Sequence, residues 1–377
     1  MFLECIFPPA HPPPAGRRPA GGGWAGGILH KTSIFLFINF NFDFDVFFNK
    51  IICFYMINII FNEVAAILLF FYAIHRFSKI IARCNIHSLK HFFSKITNNK
   101  IKSLSVGAGA AALMQSNKAV SSIALTLVNA GAITAIGALP ILFGTPIGSA
   151  STAFLVSMKL ECMEEVLIII GAIVKKIKKY KNIGHIIFYL GLLLFALELM
   201  SKATISLRNE QWFRDIFLFS NNVFVLFIFG LIFSFALQSG ALMTSIITIL
   251  VNCNVLPLYN SVAIGIGVTV GSTLSLMIVS ASMNKEAKKS CYIHLIFIFT
   301  FGLLSLLFTN LFTIAGTHFQ GGLSFAVSNI ISRIAISMLG YLCFCLLYKN
   351  KNILIKFREY IKKMSIHHNS NYETNLK

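Results

Sequence analysis

The sequence predicts an all-α, polytopic membrane protein with two inverted-topology repeats, each containing a re-entrant helical hairpin. Three observations predict this class: long apolar runs, an internal repeat at one fixed spacing, and opposite charges on loops that the repeat makes equivalent. Of the 377 residues, 56% are hydrophobic and 12% are charged, whereas soluble domains carry about 25% charged residues. The composition therefore indicates a chain that is embedded largely in lipid.

Apolar runs of about 18 or more residues with almost no charge are typical of membrane-spanning helices. In this chain such runs cover residues 51–74, 183–200, 223–237 with its continuation, 290–314 and 326–348. We therefore expect a multi-pass protein of the cell membrane, inner or plasma, with the lipid bilayer as its surroundings.

The net charge of +19 would also suit a nucleic-acid-binding protein, but the positions of the basic residues argue against that class. A nucleic-acid-binding surface needs a basic patch with interleaved aromatic side chains, whereas here the lysines and arginines cluster between apolar runs. Basic segments beside membrane helices mark the cytoplasmic side, so we expect the basic loops and the tail to be cytoplasmic. These segments are 76–102, 175–181, 284–289 and 349–363.

An enzyme is not expected either. Membrane enzymes cluster His, Asp and Glu at metal-binding or general-base spacing, but the 13 acidic residues of this chain do not pair inside an apolar run. The eight cysteines form no CxxC pair, so the sequence predicts neither a zinc site nor a disulfide framework.

An internal repeat appears without a gap when residue n is aligned with residue n+123. The alignment matches rare polar and glycine positions rather than common apolar ones: Gln115-Ser116 with Gln238-Ser239, Val128-Asn129 with Val251-Asn252, and Gly148-Ser149 with Gly271-Ser272. Chance similarity between apolar segments would match mainly leucine and isoleucine. The two repeats cover residues 60–157 and 183–280.

Loop charges indicate that the two repeats are inverted. The segment 159–165 after the first repeat is acidic, whereas its counterpart 284–289 after the second is basic. The loop 76–102 is strongly basic, whereas its counterpart 201–222 is close to neutral. If basic loops are cytoplasmic, equivalent loops lie on opposite sides of the membrane. Inverted repeats are a transporter architecture whose binding site lies near the membrane midplane.

Each repeat contains a polar stretch inside an apolar run. The stretches are "ALMQSNKAVSS" at 112–122 and "FALQSGALMTS" at 235–245. Polar, irregular backbone at membrane depth is tolerated only where it lines a cavity or is buried in protein. We therefore expect segments 107–123 and 230–246 to form re-entrant hairpins, each followed by a spanning helix.

The duplicated Gln-Ser stretches are accompanied by three further segments that carry a family resemblance. These are "IGHIIFYLGLLLFALELMSKA" at 183–203 and the glycine-containing stretches 125–157 and 265–297. Because of the order and duplication of these segments, the sequence resembles the type II sodium/phosphate cotransporter family, whose hairpins carry duplicated Gln-Ser-Ser-Ser motifs. The resemblance implies sodium-dependent phosphate transport across the cell membrane by alternating access, with sodium as the coupling ion and no other cofactor.

In that family the paired hairpins line the substrate and ion sites. The resemblance therefore implies a set of phosphate-binding residues: Gln115, Ser116, Asn117, Lys118, Gln238 and Ser239. It also implies a set of sodium-binding residues: Ser121, Ser122, Thr145, Ser149, Thr244, Ser245, Thr269, Ser272 and Thr273.

The sequence departs from the family motif at the third and fourth positions, which are Asn117-Lys118 in the first repeat and Gly240-Ala241 in the second. Lys118 has two interpretations. In the first, its ammonium replaces a coupling sodium and attracts an anion; in the second, the position has drifted in a copy that no longer transports, or the side chain extends to the membrane surface. Part of the predicted sodium set has a second interpretation, in which the hydroxyls bond to their own helix carbonyls: Ser121, Ser122, Thr244 and Ser245.

These departures leave two alternatives to sodium-dependent phosphate transport. One is a degenerate family member that no longer transports. The other is a sodium-uncoupled transporter of another anion. The lost hydroxyls favour both alternatives, because phosphate needs many hydrogen-bond donors and sodium, as a hard cation, needs oxygen ligands.

The remaining segments complete the predicted organisation of the chain. Residues 1–27 are rich in proline and glycine, unlike everything that follows, and form either a disordered arm or a product of a wrongly assigned start codon. The other predicted parts are an N-terminal hydrophobic segment at 28–59, a connecting helix and basic loop at 158–182, C-terminal transmembrane helices at 281–348 and a basic tail at 349–377.

Overall fold

A computed structural model describes residues 57–81, 83, 93, 99–158, 163–208, 210–217, 220 and 222–349. Every regular element in these ranges is a helix, which confirms the all-α class for the described part of the chain. The predicted arm at 1–27, nearly all of the segment at 28–59 and the tail beyond residue 349 lie outside the described residues.

The helices follow in chain order. Those up to the middle of the chain are α1 (Ile57–Ile81), α2 (Lys100–Met114), α3 (Asn117–Asn129), α4 (Ala135–Ser149), α5 (Ser151–Ser157), α6 (Met163–Val174) and α7 (Lys181–Leu207). Those that follow are α8 (Gln211–Phe217), α9 (Val223–Ala236), α10 (Gly240–Asn252), α11 (Leu258–Leu274), α12 (Leu276–Ser280), α13 (Lys285–Ser305), α14 (Thr309–Thr317) and α15 (Gly322–Lys349).

Six helical segments among the described residues are long and apolar enough to cross a membrane: Ile57–Ile81, Ala135–Ser157, Lys178–Leu207, Leu258–Ser280, Lys285–Thr317 and Gly322–Lys349. Their outer faces expose large apolar side chains, and Leu68, Leu307 and Leu346 are 65%, 77% and 71% exposed. Apolar surfaces of this extent are unusual in water, so these faces contact lipid. The prediction of several membrane-spanning helices is confirmed.

The apolar run at 223–237 does not form a single span, so this part of the prediction is wrong. Helix α9 ends at Ala236 after 14 residues, which is about 21 Å at 1.5 Å per residue, and α10 begins only at Gly240. A span must cross a hydrocarbon core of about 30 Å. The physical reason for the interruption is the turn at Gln238-Ser239, which stops the helix inside the apolar run.

The helix boundaries repeat at the spacing found in the sequence. Helices α2 and α9 begin at Lys100 and Val223, α3 and α10 at Asn117 and Gly240, and α4 and α11 at Ala135 and Leu258. Each of these pairs is separated by 123 residues. Both repeats therefore have the same local architecture: a short helix, a turn, a second short helix and then a long apolar helix.

Glycines hold the first short helix of each repeat against the long helix. A methyl group added at Gly107 on α2 would meet the carbonyl oxygen of Ile141 on α4, and one added at Gly230 on α9 would meet that of Ile264 on α11. Small residues at helix interfaces let the backbones approach closely in lipid, where packing drives association. The same contact at equivalent positions fixes where both turns lie.

Helix α15 lies between the two repeats. It packs against α4 and α5 of the first repeat and against α10 and α11 of the second. The ring of Phe143 on α4 contributes to this core, with centroid distances of 4.8 Å to His294 and 5.6 Å to Tyr341. Helix α15 is therefore one element through which side chains reach both repeats, and α13, which packs against α3, α4 and α11, is another.

The glycine contacts generate a stability prediction. We expect Gly107→Ala to lower the free energy of unfolding by about 1–3 kcal/mol, because the added methyl forces the Ile141 backbone away. Gly109→Ala on the same helix is the matched control, since a methyl there meets nothing within 4 Å and alanine favours helix by up to about 1 kcal/mol. The thermal unfolding midpoint of the purified protein in detergent measures both. Equal midpoints for the two variants would show that α2 and α4 are not closely packed.

Candidate functional site

The Gln-Ser pair of the first repeat forms a helix break. Gln115 has φ 50° and ψ 29°, in the left-handed region, which is uncommon for a residue other than glycine. The next residue, Ser116, is extended, and its hydroxyl accepts the N–H of Ala119 at 3.2 Å. The glutamine therefore ends α2, and the serine caps the N-terminus of α3.

The second repeat forms the same break. Gln238 also has φ 50°, and the hydroxyl of Ser239 accepts the N–H of Leu242 at 3.2 Å. Helix α10 therefore begins as α3 does, with a serine cap directly after a left-handed glutamine. The serine of each pair therefore has a backbone role as a helix cap, whereas the left-handed conformation favours glycine and does not by itself explain the glutamine.

Both turns border one cavity of about 610 Å³. All six residues that the sequence predicts for phosphate line it: Gln115, Ser116, Asn117, Lys118, Gln238 and Ser239. Ser149 and Ser272 of the predicted sodium set line it as well, as do His75, Ser78 and Lys79 from α1. The structure thus brings the two equivalent polar stretches to one enclosed space.

The two glutamine side chains have different partners. The Gln115 amide nitrogen donates to the hydroxyl of Ser151 at 3.1 Å, and its carbonyl accepts the hydroxyl of Thr152 at 2.8 Å. In the second repeat, the positions equivalent to Ser151 and Thr152 are occupied by Leu274 and Ser275. The carbonyl of Gln238 instead accepts the Lys118 ammonium at 2.7 Å. Helix α5 therefore orients Gln115, whereas the opposite turn orients Gln238.

Lys118 connects the two turns. Its side chain is half-buried, lines the cavity and donates to a residue of the other repeat. The ammonium therefore lies at the cavity. It does not extend away from the cavity to the membrane surface, which was one alternative that the sequence left open. A lysine here adds a positive charge beside the N-termini of α3 and α10.

A buried cluster of oxygen atoms lies behind the first turn. The side-chain carbonyl of Asn117 accepts hydrogen bonds from the hydroxyls of Ser121, at 3.1 Å, and of Thr145. The two hydroxyls are 2.9 Å apart, and that of Thr145 also lies 2.8 Å from the carbonyl oxygen of Leu142, so its one proton is shared between alternative acceptors. Uncharged oxygens in this arrangement are ligands that a hard cation such as sodium accepts.

The amide nitrogen of Asn117 has no hydrogen-bond partner among the described residues, although the residue is only 6% exposed. Buried polar groups are normally paired, and an exception needs an explanation. Asn117 lines the cavity at the first turn of α3, but its amide nitrogen has almost no accessible surface, so the side chain would have to rotate to present this donor to a bound anion.

Other predicted sodium ligands bond within their own helices. The hydroxyls of Ser122, Ser245, Thr269 and Thr273 donate to the backbone carbonyls of Lys118, Ala241, Gly265 and Thr269. All four hydroxyls thus bond to carbonyls of their own helices. For Ser122 and Ser245 this agrees with the second interpretation given from the sequence. Thr244 has a different partner, which the sequence analysis did not identify.

Arg333 on α15 is the functional candidate that sequence reasoning missed. It is 2% exposed, and its guanidinium donates to the hydroxyls of Ser149 at 2.8 Å and Thr244 at 3.0 Å. The signal was present, because Arg333 is the charged residue inside the apolar run 326–348. An ionisable residue inside a membrane helix is expensive, and it usually marks a functional site.

Comparisons with known proteins agree with the resemblance found in the sequence. The family described as Na+/Pi-cotransporter matches residues 69–202. Uncharacterized protein YqeW of Bacillus subtilis (strain 168) is 21% identical over 204 residues, which are 53% of this chain and 66% of that protein. "Putative inorganic phosphate export protein YjbB" is 24% identical over 254 residues in Escherichia coli O157:H7 and 24% identical over 227 residues in strain K12.

The two YjbB alignments cover 66% and 59% of this chain. The chain spans 66% of the length of YqeW and less than half of either YjbB protein, at 47% and 42%. No solved structure matches the chain significantly.

The oxygen cluster generates the next prediction. We expect Thr145→Val, which keeps the shape of the side chain, to lower the free energy of unfolding by about 1–3 kcal/mol, because it removes a hydroxyl that serves buried partners. Thr269→Val is the matched control, since that hydroxyl bonds only to its own helix at Gly265, and we expect less than about 1 kcal/mol. Thermal unfolding in detergent measures both variants. A larger loss for Thr269→Val would mean that the cluster does not contribute to stability.

Proposed function

Because this chain is a divergent member of the Na+/Pi-cotransporter family, we propose that it carries inorganic phosphate across the cell membrane by alternating access. The multi-pass helical structure and the family membership support transport as its activity. The observation that carries the proposal is the single cavity bordered by both Gln-Ser turns. In the proposed cycle, sodium is the coupling ion and no other cofactor takes part.

The cavity suits an anion. The first residues of α3 and α10 line it, and helix N-termini present free N–H groups and a positive dipole end to a negative ligand. The ammonium of Lys118, which lines the cavity, adds a full charge. Tetrahedral phosphate accepts several hydrogen bonds at once, which matches a site of convergent donors.

We propose further that the repeats are inverted and that α2–α3 and α9–α10 are re-entrant hairpins. Their helices have 15, 13, 14 and 13 residues, each shorter than the roughly 20 residues of a span. The opposite charges of equivalent loops support the inversion. The cavity then lies near the membrane midplane, and movement of one repeat against the other opens it to alternate sides, with the basic loops and tail in the cytoplasm.

For sodium we propose the oxygen cluster of the first repeat, formed by Asn117, Ser121, Thr145 and the carbonyl of Leu142. A bound ion replaces the hydrogen bonds among these atoms with coordination by the same oxygens. Asn117 belongs to both this cluster and the cavity lining, so the position of one amide links occupancy by the cation to occupancy by the anion. This shared residue is the proposed origin of symport.

Phosphate flux tests the proposed site. We expect the purified protein in proteoliposomes to take up radiolabelled phosphate, and Gln115→Ala or Gln238→Ala to reduce uptake at least about tenfold, a loss of roughly 1.4 kcal/mol in binding or transport. Gln211→Ala is the matched control, because Gln211 is exposed on α8 and does not line the cavity.

Two outcomes would contradict parts of this proposal. Flux that survives both cavity substitutions would mean that phosphate passes elsewhere. A wild-type protein that carries neither phosphate nor another oxyanion would identify a degenerate, non-transporting family member.

Sodium dependence tests the oxygen cluster. We expect Ser121→Ala to raise the sodium concentration for half-maximal flux about tenfold, equivalent to roughly 1.4 kcal/mol, because a ligand oxygen is lost. The neighbouring Ser122→Ala is the control, since its hydroxyl bonds to the carbonyl of Lys118, and it should leave this concentration unchanged. Flux of equal rate with and without a sodium gradient would instead support the sodium-uncoupled alternative.

A further inference from the structure

Arg333 is a buried cation whose hydrogen-bond partners are all uncharged. Its guanidinium donates to Asn329 Oδ1 at 3.0 Å, Ser149 Oγ at 2.8 Å, Thr244 Oγ1 at 3.0 Å and the carbonyl of Pro146 at 3.5 Å. No carboxylate is among these partners in the part of the chain that the structure describes. A buried charge without a counter-charge is costly, so an arginine at this position needs a reason other than packing.

The guanidinium joins the two repeats directly behind the cavity wall. Ser149 and Pro146 belong to the first repeat, and Thr244 belongs to the second. Ser149 also lines the cavity, so a single hydroxyl separates the Arg333 charge from the proposed phosphate site. In surroundings of low dielectric constant, a positive charge attracts a nearby anion far more strongly than it does in water.

The repeat shows what Arg333 replaces. Thr244 is equivalent to Ser121, whose hydroxyl belongs to the oxygen cluster of the first repeat. In the second repeat the other side chains of that cluster have no oxygen: Asn117 corresponds to Gly240, and Thr145 corresponds to Val268. The hydroxyl of Thr244 accepts a hydrogen bond from Arg333 instead. One repeat therefore retains an uncharged oxygen cluster, whereas the equivalent hydroxyl of the other repeat, that of Thr244, accepts a hydrogen bond from a positive group carried by α15.

We propose that Arg333 is a tethered cation that takes the place of a coupling cation in the second repeat. It supplies the positive charge that a mobile monovalent cation would bring to Ser149 and Thr244, and it lowers by one the number of free sodium ions that accompany each anion. This inference rests on the proposed function, because it assigns a role to Arg333 in the same transport cycle.

Removal and chemical replacement of the guanidinium test the inference. Arg333→Ala leaves a space bordered by the same oxygens, so we expect phosphate flux to fall at least about tenfold, roughly 1.4 kcal/mol. Guanidinium ion at millimolar concentration should restore flux in this variant and leave the wild type unchanged. Without guanidinium, sodium should enter the space, and the dependence of flux on sodium concentration should become steeper than in the wild type.

A binding measurement separates this inference from the proposed function. We expect millimolar guanidinium to raise the thermal unfolding midpoint of the full-length Arg333→Ala protein in detergent, with no rise for the wild type. Arg208→Ala is the matched control, because Arg208 is half-buried and donates to the carbonyl of Cys253, remote from the cavity lining. This shift is expected even if the wild type transports no phosphate.

Two further variants keep the test decisive. Arg333→Gln is a neutral side chain of intermediate length and should behave as Arg333→Ala does if the alanine variant does not fold. Arg333→Lys keeps the charge and should retain more flux than either neutral variant, with the sodium dependence of the wild type. The inference is overturned if the neutral variants keep wild-type flux and sodium dependence, or if guanidinium stabilises Arg333→Ala no more than Arg208→Ala.

Discussion

A helix that ends inside an apolar run of the sequence leaves backbone N–H and C=O groups without partners, and the organisation of this protein depends on how two such ends are satisfied. Each unsatisfied group costs several kcal/mol in a membrane. Gln115 and Gln238 turn the chain in the left-handed conformation, and the next serine caps the following helix. The serines are therefore required twice in the chain by backbone chemistry, and the same requirement leaves two helix N-termini open to one cavity.

The two repeats share this scaffold but differ in chemistry. Glycine contacts at equivalent positions hold α2 against α4 and α9 against α11, so both turns occupy corresponding positions. Around the first turn, Asn117 gathers two hydroxyls, whereas the second turn has glycine and valine at two of the corresponding positions. Lys118 and Arg333 then supply positive charge at the junction. The loss of hydroxyls from the family motif is thus accompanied by two cations that contact residues of the second repeat, Gln238 and Thr244.

The alternating access proposed for this protein requires two arrangements of similar free energy, so the contacts between the repeats bear on that proposal. Among the described residues, the long side chains of Lys118 and Arg333 make polar contacts across this junction, and Asn284 and Ser290 contact Asn129 and Ala135 of the first repeat. Helix α15, which carries Arg333, packs against both repeats. A cation on this helix is placed where a relative movement of the repeats changes its partners.

The sequence by itself determined the helical membrane class and the register of the repeat, because hydrophobicity and helix-breaking Gln-Ser pairs act locally along the chain. It also identified six of the residues that line the cavity. Only the tertiary structure decided which serine and threonine hydroxyls form a cluster and which bond within their own helix, because that choice depends on whether a neighbouring helix presents an acceptor. For the same reason it alone decided the partners of Arg333, which lie 184 and 89 residues away at Ser149 and Thr244. Contacts at such separation arise from how helices pack, and no local pattern encodes them.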